Sequence, residues 1–186
     1  MQSKLSDMLG GEENSKLTWC VSKVKAPLRP GDIGSFADSF WTDVKSSRKS
    51  TNCHYILLNN ALVHWRSKIA SILATSTTEA ELIREASCAQ DVPFCRKLAD
   101  ELGFKQTKPT TLWEDNNGCL SLAKSGYYKD RSKHFEIRFR FMSDYVDRGL
   151  LELRHVDSKD QLVDLGTVPR PWSQLQRMRP TLYGEV

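Results

Sequence analysis

Four stretches of the chain carry acidic residues that could work together: Phe36-Ala37-Asp38-Ser39-Phe40-Trp41, Ser76-Thr77-Thr78-Glu79-Ala80-Glu81, Trp113-Glu114-Asp115-Asn116-Asn117 and Asp160-Gln161-Leu162-Val163-Asp164. Carboxylates drawn from separate elements into one place bind hard divalent cations such as Mg²⁺ through oxygen, with no need of His or Cys. Each acid also has a plainer reading. Asp38 and Asp115 are of a residue type that closes turns and caps helices, and both Asp164 and the competing Asp160 would suit a solvated helix. On a helix starting at Ser76, Glu79 completes a Ser-x-x-Glu capping box. Glu81 points nearly opposite to Glu79, because successive helix residues are about 100° apart, so the two cannot serve one site. Glu79 lies nearer Leu82, Ile83 and Ala86, and amphipathicity alone would choose it over Glu81.

The order of these acids is matched by further motifs: Asp38-Ser39-Phe40-Trp41, Arg48-Lys49-Ser50-Thr51, Ser76 to Glu81, Glu114-Asp115-Asn116, Ser132-Lys133-His134 with Ile137-Arg138, and Asp160 to Asp164. Together they resemble the ribonuclease H domain at the end of the Pol polyprotein of copia-type LTR retrotransposons, within the ribonuclease H-like superfamily. The resemblance is collinear from about Ser35 to Arg179. It implies that Asp38, Glu81, Asp115 and Asp164 are the catalytic residues and the ligands of two Mg²⁺ ions, with Mn²⁺ as a substitute. The position just before the apolar pair Leu82-Ile83 favours Glu81 over Glu79. The implied reaction is endonucleolytic hydrolysis of the RNA strand of RNA–DNA hybrids, as in reverse transcription, with a reverse transcriptase domain as a partner. Two metal ions suit that chemistry, since one activates water and the other stabilises the leaving oxygen. Two departures motivate an alternative, a catalytically weakened module that still binds hybrid or double-stranded nucleic acid. Phe40 stands where the family has a second Asp, and the run Asp164-Leu165-Gly166-Thr167-Val168 replaces a pattern with Phe and Lys.

The chain has 186 residues, with 27 Lys plus Arg against 23 Asp plus Glu, a net of +4. From Lys124 to Arg140 six basic residues face two acidic ones, so that segment alone matches the excess of the whole chain. Lys129, Arg131, Lys133, His134 and Arg138 are therefore candidate nucleic-acid contacts, although such a run also describes a solvated face. Five cysteines without a Cys-x-x-Cys pair argue against a disulfide framework or a zinc site and suit a reducing compartment. No run approaches the roughly 20 apolar residues of a membrane span. The expectation is an intracellular protein, cytoplasmic or nuclear, with no membrane association.

The elements that must position the acids follow from the pattern. Residues 1–16 read as a flexible leader, 17–168 as one ribonuclease H-like domain and 169–186 as a C-terminal tail. Strands are expected at Leu17–Val24, Gly34–Asp38, His54–Leu58, Ala61–Trp65, Thr110–Trp113 and Leu150–Val156. Asn59-Asn60 tolerates the positive φ of a tight hairpin turn. Helices are expected from Ser76, over Asp91–Leu102 up to Gly103, over Asn116–Lys124 and from Ser158. Phe135–Phe141 alternates like a strand, but the following residues and the resemblance favour a helix to about Arg148. His155 reads as structural on its strand. The order fits an α/β fold, a five-stranded mixed sheet with helices on both faces. Ligands collect beyond the carboxyl ends of strands in such sheets, which is where Asp38 and Asp115 are expected.

Overall fold

The computed structural model describes residues 28, 31–40, 50–70, 74, 76–118, 133–167 and 171–183. The expected strand at Leu17–Val24, the leader, most of the expected Asn116–Lys124 helix, Lys129 and Arg131 lie outside the described residues.

Strand β1 (Ile33–Phe40) pairs antiparallel with β2 (Thr51–Leu58), which pairs antiparallel with β3 (Ala61–Ile69). On its other side β1 runs parallel to β4 (Thr110–Glu114), and β4 runs parallel to β5 (Leu151–His155). The sheet order is β3-β2-β1-β4-β5. Asn59 and Asn60 close the β2–β3 hairpin with φ of 54° and 63°, the left-handed backbone of a primed turn that Asn accepts more readily than branched residues do.

Helix α1 spans Thr77–Glu101. Ser76 caps it by accepting from the Glu79 N–H at 3.1 Å, a contact of the kind worth about 1 kcal/mol. Gly103, at φ 92°, ends it, its N–H bonding the Asp100 carbonyl while that of Phe104 bonds Ala99, the paired bonds of a Schellman motif. The sequence suggested two helices here; the structure has one, continuous through Pro93. Cys88, Ala89, Val92, Cys95 and Ala99 are buried on one face, whereas Leu98 and Leu102, expected to share it, are exposed.

Helix α2 (Lys133–Asp147) settles the ambiguous Phe135–Phe141 segment. Phe135, Phe139 and Met142 are buried at helical spacing, and α2 packs beside α1. Both helices cover the sheet face that carries Ile33, Ala37, Ile56, Leu112 and Leu151. The opposite face buries Phe36, Cys53, Tyr55 and Leu57 against Leu162, Val163 and Met178. Instead of one helix from Ser158 there are two short 3-10 turns, Ser158–Asp160 and Leu162–Gly166. Helix α3 (Trp172–Tyr183) then lies on this face through Met178.

Candidate functional site

Strands β1 and β4 are adjacent and parallel, so their carboxyl ends lie side by side. Asp38 occupies the third-last position of β1 and Asp115 directly follows β4. Glu81 projects from the second turn of α1, and Asp164 sits in the second 3-10 turn. Hydrogen-bond donors are interleaved among these acids.

The Asn116 side-chain amide donates to Glu81 Oε2 at 2.5 Å, tying α1 to the turn after β4. Ser158 Oγ donates to Asp115 Oδ2 at 3.0 Å. Thr167 Oγ stands 3.0 Å from Asp38 Oδ2 and 3.2 Å from the Asp164 carbonyl, which brings the turn carrying Asp164 against β1. Gln161, fully buried, donates to the Ala37 carbonyl at 3.1 Å and fixes the same segment one residue earlier in β1. Asp38, Glu81 and Asp115 thus belong to one end of the sheet, and the backbone of the turn carrying Asp164 is tied to the same end. Glu79, by contrast, is buried in the first turn of α1.

Beneath them is a buried charge network. Arg84, one turn beyond Glu81, is wholly buried, donates to the buried Glu114 and lies 3.5 Å from Asp38 Oδ1. Burial works against the charge on its guanidinium, but Glu114, Glu85, Asp38 and Glu81 surround it and raise its pKa on balance. Burial pushes the Glu114 carboxyl up to about 9 against the pull of Arg84, with the neighbouring Glu85 pushing the same way. One guanidinium is thereby shared among several carboxyls. Burial also raises the pKa of Glu81, opposed by the Asn116 hydrogen bond and Arg84 and reinforced by Asp115.

Of the basic candidates, Arg138 lines a cavity of about 360 Å³ with Arg66 and Lys68, above the hairpin and α1. Lys133 and His134 are the first residues of α2. His155 ends β5, as expected of a strand residue, and is exposed there opposite Glu114 across the ladder. Trp65 is exposed on edge strand β3, and Trp113 stacks on Phe36 at 6.2 Å.

Sequence reasoning missed Arg84, Asn116, Ser158 and Thr167. A signal existed for the first of these. Arg84-Glu85 directly follows the apolar Leu82-Ile83 and precedes Ala86, so charge falls on the face that the helix must bury. The three described free cysteines, Cys53, Cys88 and Cys95, are buried, and burial pushes their thiols up to about 11, 12 and 11, as expected of inert core cysteines.

No model of a known protein family matches the chain. The retrovirus-related Pol polyprotein from transposon RE1 of Arabidopsis thaliana is 31% identical to it over 137 residues, and that from transposon RE2 is 29% identical over 137 residues. Each match covers 74% of this chain but only 9% of the relative, so the chain spans less than a tenth of the length of these curated relatives. Among solved structures, LC11-RNase H1 in complex with RNA/DNA hybrid superimposes with a TM-score of 0.54 over 73% of this chain and 94% of that one, at 14% identity. At that identity the likeness is one of fold. The chain is a homologue of one segment of the copia-type retrotransposon Pol polyproteins, and its fold is that of ribonuclease H.

Proposed function

We propose that the chain hydrolyses the RNA strand of RNA–DNA hybrids in a divalent-metal-dependent reaction, using Asp38, Glu81, Asp115 and Asp164. What supports this reading is that Asp38, Glu81 and Asp115 lie at one end of the sheet and that Thr167 ties the backbone of the turn bearing Asp164 to Asp38. Their donors are all oxygen, which fits a hard cation, Mg²⁺ or in its place Mn²⁺, and not a soft one. Bound there, two such ions would supply an activated water and offset charge on the phosphate and the leaving oxygen.

The protein's own part is to aim the carboxylates. Asn116 holds Glu81, Ser158 holds Asp115, and Thr167 holds Asp38 together with the turn that bears Asp164. Arg84 backs Asp38 from within the core. Glu81, with its raised proton affinity, binds a cation in competition with a proton. Lys129, Arg131, Lys133, His134 and Arg138 are proposed to contact the hybrid. Contacts to phosphates and 2′-hydroxyls would leave little sequence specificity. Kinship with Pol polyproteins supports a reverse transcriptase domain as partner and a place in reverse transcription; the proposed setting is the cytoplasm or nucleus.

One observation favours the second reading, a module that binds hybrid without turning it over. Arg84 presents a guanidinium to Asp38, where a metal ligand would otherwise face only the cation it holds. Cleavage of a labelled RNA–DNA hybrid separates the two, run with Mg²⁺, with EDTA and with Asp115→Asn, beside RNA–RNA and DNA–DNA duplexes. Metal-dependent cutting of the hybrid's RNA strand alone, lost in EDTA and in Asp115→Asn, is the expected result. A folded chain that binds the hybrid and leaves it intact would establish the binding module instead.

A further inference from the structure

Ten residues beyond Glu81, about 15 Å further along α1 at 1.5 Å per residue, Asp91 faces the β2–β3 hairpin. In the hairpin register His54 stands opposite Arg66, and His64 opposite Ile56. All three polar side chains turn toward α1 and meet at Asp91. His54 Nε2 lies 2.9 Å and His64 Nε2 3.1 Å from the same oxygen, Asp91 Oδ2. The two imidazoles are stacked, with centroids 5.7 Å apart and an interplanar angle of 24°. Arg66 donates to the other carboxylate oxygen, Oδ1, at 3.2 Å. Among the described residues this is the group whose three ligand atoms all lie within 4.8 Å of one another.

We propose that His54, His64 and Asp91 bind one divalent transition-metal ion of the zinc class, fastening α1 to the β2–β3 hairpin. Two imidazole nitrogens and one carboxylate oxygen suit Zn²⁺, Co²⁺ or Ni²⁺ and not Mg²⁺. Ligand bonds of about 2.0–2.2 Å put neighbouring donor atoms of a tetrahedron about 3.3 Å apart, so the pairs at 2.9 and 3.1 Å need only a small opening. Each imidazole binds through Nε2 with its proton on Nδ1, and Arg66 steadies the carboxylate from outside, as hydrogen-bonded neighbours of metal ligands do. The His64 side chain is 26% exposed and Asp91 16%, which leaves a fourth position open to water. The cavity that His54 lines with Ser87 and Gln90 adds a second approach. This site shares no residue with the acids proposed for hydrolysis, so cleavage can fail while the metal still binds.

The test uses the full chain, stripped with a chelator and titrated with Co²⁺ in the absence of nucleic acid. The expected result is one equivalent giving visible d–d absorption of a low-coordinate ion, bleached when Zn²⁺ displaces it. His64→Gln, at a partly exposed position, should weaken Co²⁺ binding by about tenfold or more, as should Asp91→Asn, while Asp38→Asn and Asp115→Asn bind as the unchanged chain does. Zn²⁺ should also raise the thermal midpoint of the unchanged chain and not that of His64→Gln. Absence of the bands in the unchanged chain would overturn the proposal and leave Asp91 as a hydrogen-bond acceptor for two histidines. Equal binding by His64→Gln, or loss of binding in Asp115→Asn alone, would overturn it too, since the ion would then sit elsewhere.

Discussion

The Thr167 hydroxyl reaches both Oδ2 of Asp38, at 3.0 Å, and the backbone carbonyl of Asp164, at 3.2 Å. A hydroxyl has one proton to donate, so the two acceptors share it, and the side chain spans a sequence separation of 129 residues to hold the last acid near the first. Thr167→Val keeps the branched shape and removes the donor. Its cost to stability should be about 1 kcal/mol, the usual net worth of one hydrogen bond. Hybrid cleavage should fall by about tenfold, roughly 1.4 kcal/mol of transition-state stabilisation. Single-turnover rates beside urea unfolding of both proteins check this. A rate equal to that of the unchanged chain would mean that Thr167 does not set the position of Asp164.

Arg84 is the cation on which the buried acids depend. Removing one partner of a buried pair leaves the others in a low-dielectric interior without compensation, at about 3–5 kcal/mol. Arg84→Met should lose that much in chemical denaturation. Arg84→Met with Glu114→Gln replaces both partners by neutral groups and should recover a substantial part of it. If the double variant is as unstable as the sum of the singles, the pair does not act as a unit.

His54 makes stability depend on pH in a definite direction. Its folded pKa is lowered to about 4 from the ordinary 6.5, because burial opposes the charged ring more than Asp91 supports it. In the unfolded chain the ring takes up a proton near pH 6.5, so between pH 6.5 and 4 the unfolded state binds more protons. The His54 contribution is therefore present in full above pH 6.5 and is lost as pH falls toward 4, by up to about 3 kcal/mol. In metal-free buffer, unfolding free energies at pH 7.5 and pH 4.5 should differ more for the unchanged chain than for His54→Phe. Identical pH profiles would show that the ring is protonated within the fold.

Much of the fold could be read from the sequence because local chemistry and packing agree there. Asn59-Asn60 accepts the positive φ that the hairpin needs, and Ser76 and Gly103 bracket α1 with caps that work without tertiary help. Where tertiary packing overrules local signals the reading fails. Pro93 looks like a boundary, yet α1 passes through it while Val92 and Cys95 on either side are buried. The acids were legible as separate motifs. Their supports were not, since Asn116, Ser158 and Thr167 are ordinary turn residues until β4, β5 and the 3-10 turns bring them to Glu81, Asp115 and Asp38. The His54, His64 and Asp91 cluster was invisible for the same reason. Separations of 37 and 27 residues to Asp91 carry no motif, and only the hairpin register and the position of α1 unite them.

Gly166 explains how a sequence that departs from the family pattern still keeps Asp164 beside β1. The 3-10 turn Leu162–Gly166 lies directly on β2, and a β-carbon on Gly166 would overlap Sγ of Cys53 and approach Oη of Tyr55 to 2.8 Å. Cys53 is wholly buried and cannot step aside, while Ser67 Oγ holds the Gly166 carbonyl at 2.8 Å from the neighbouring strand. The glycine is thus required by close approach rather than by its backbone angles. Gly166→Ala must push the turn off the sheet, at about 1–3 kcal/mol for an overpacked contact, and that movement carries Asp164, two residues earlier, away from Asp38. Stability and hybrid cleavage should both fall. Cys53→Ala opens space at the point of overlap, so the double variant Gly166→Ala with Cys53→Ala should be more stable than the two single losses added together, with a coupling of about 1 kcal/mol, and should regain part of the cleavage rate. Additive losses would mean that the turn is held by Ser67 and Thr167 alone, and that the packing of Gly166 on Cys53 has no part in holding the fourth acid.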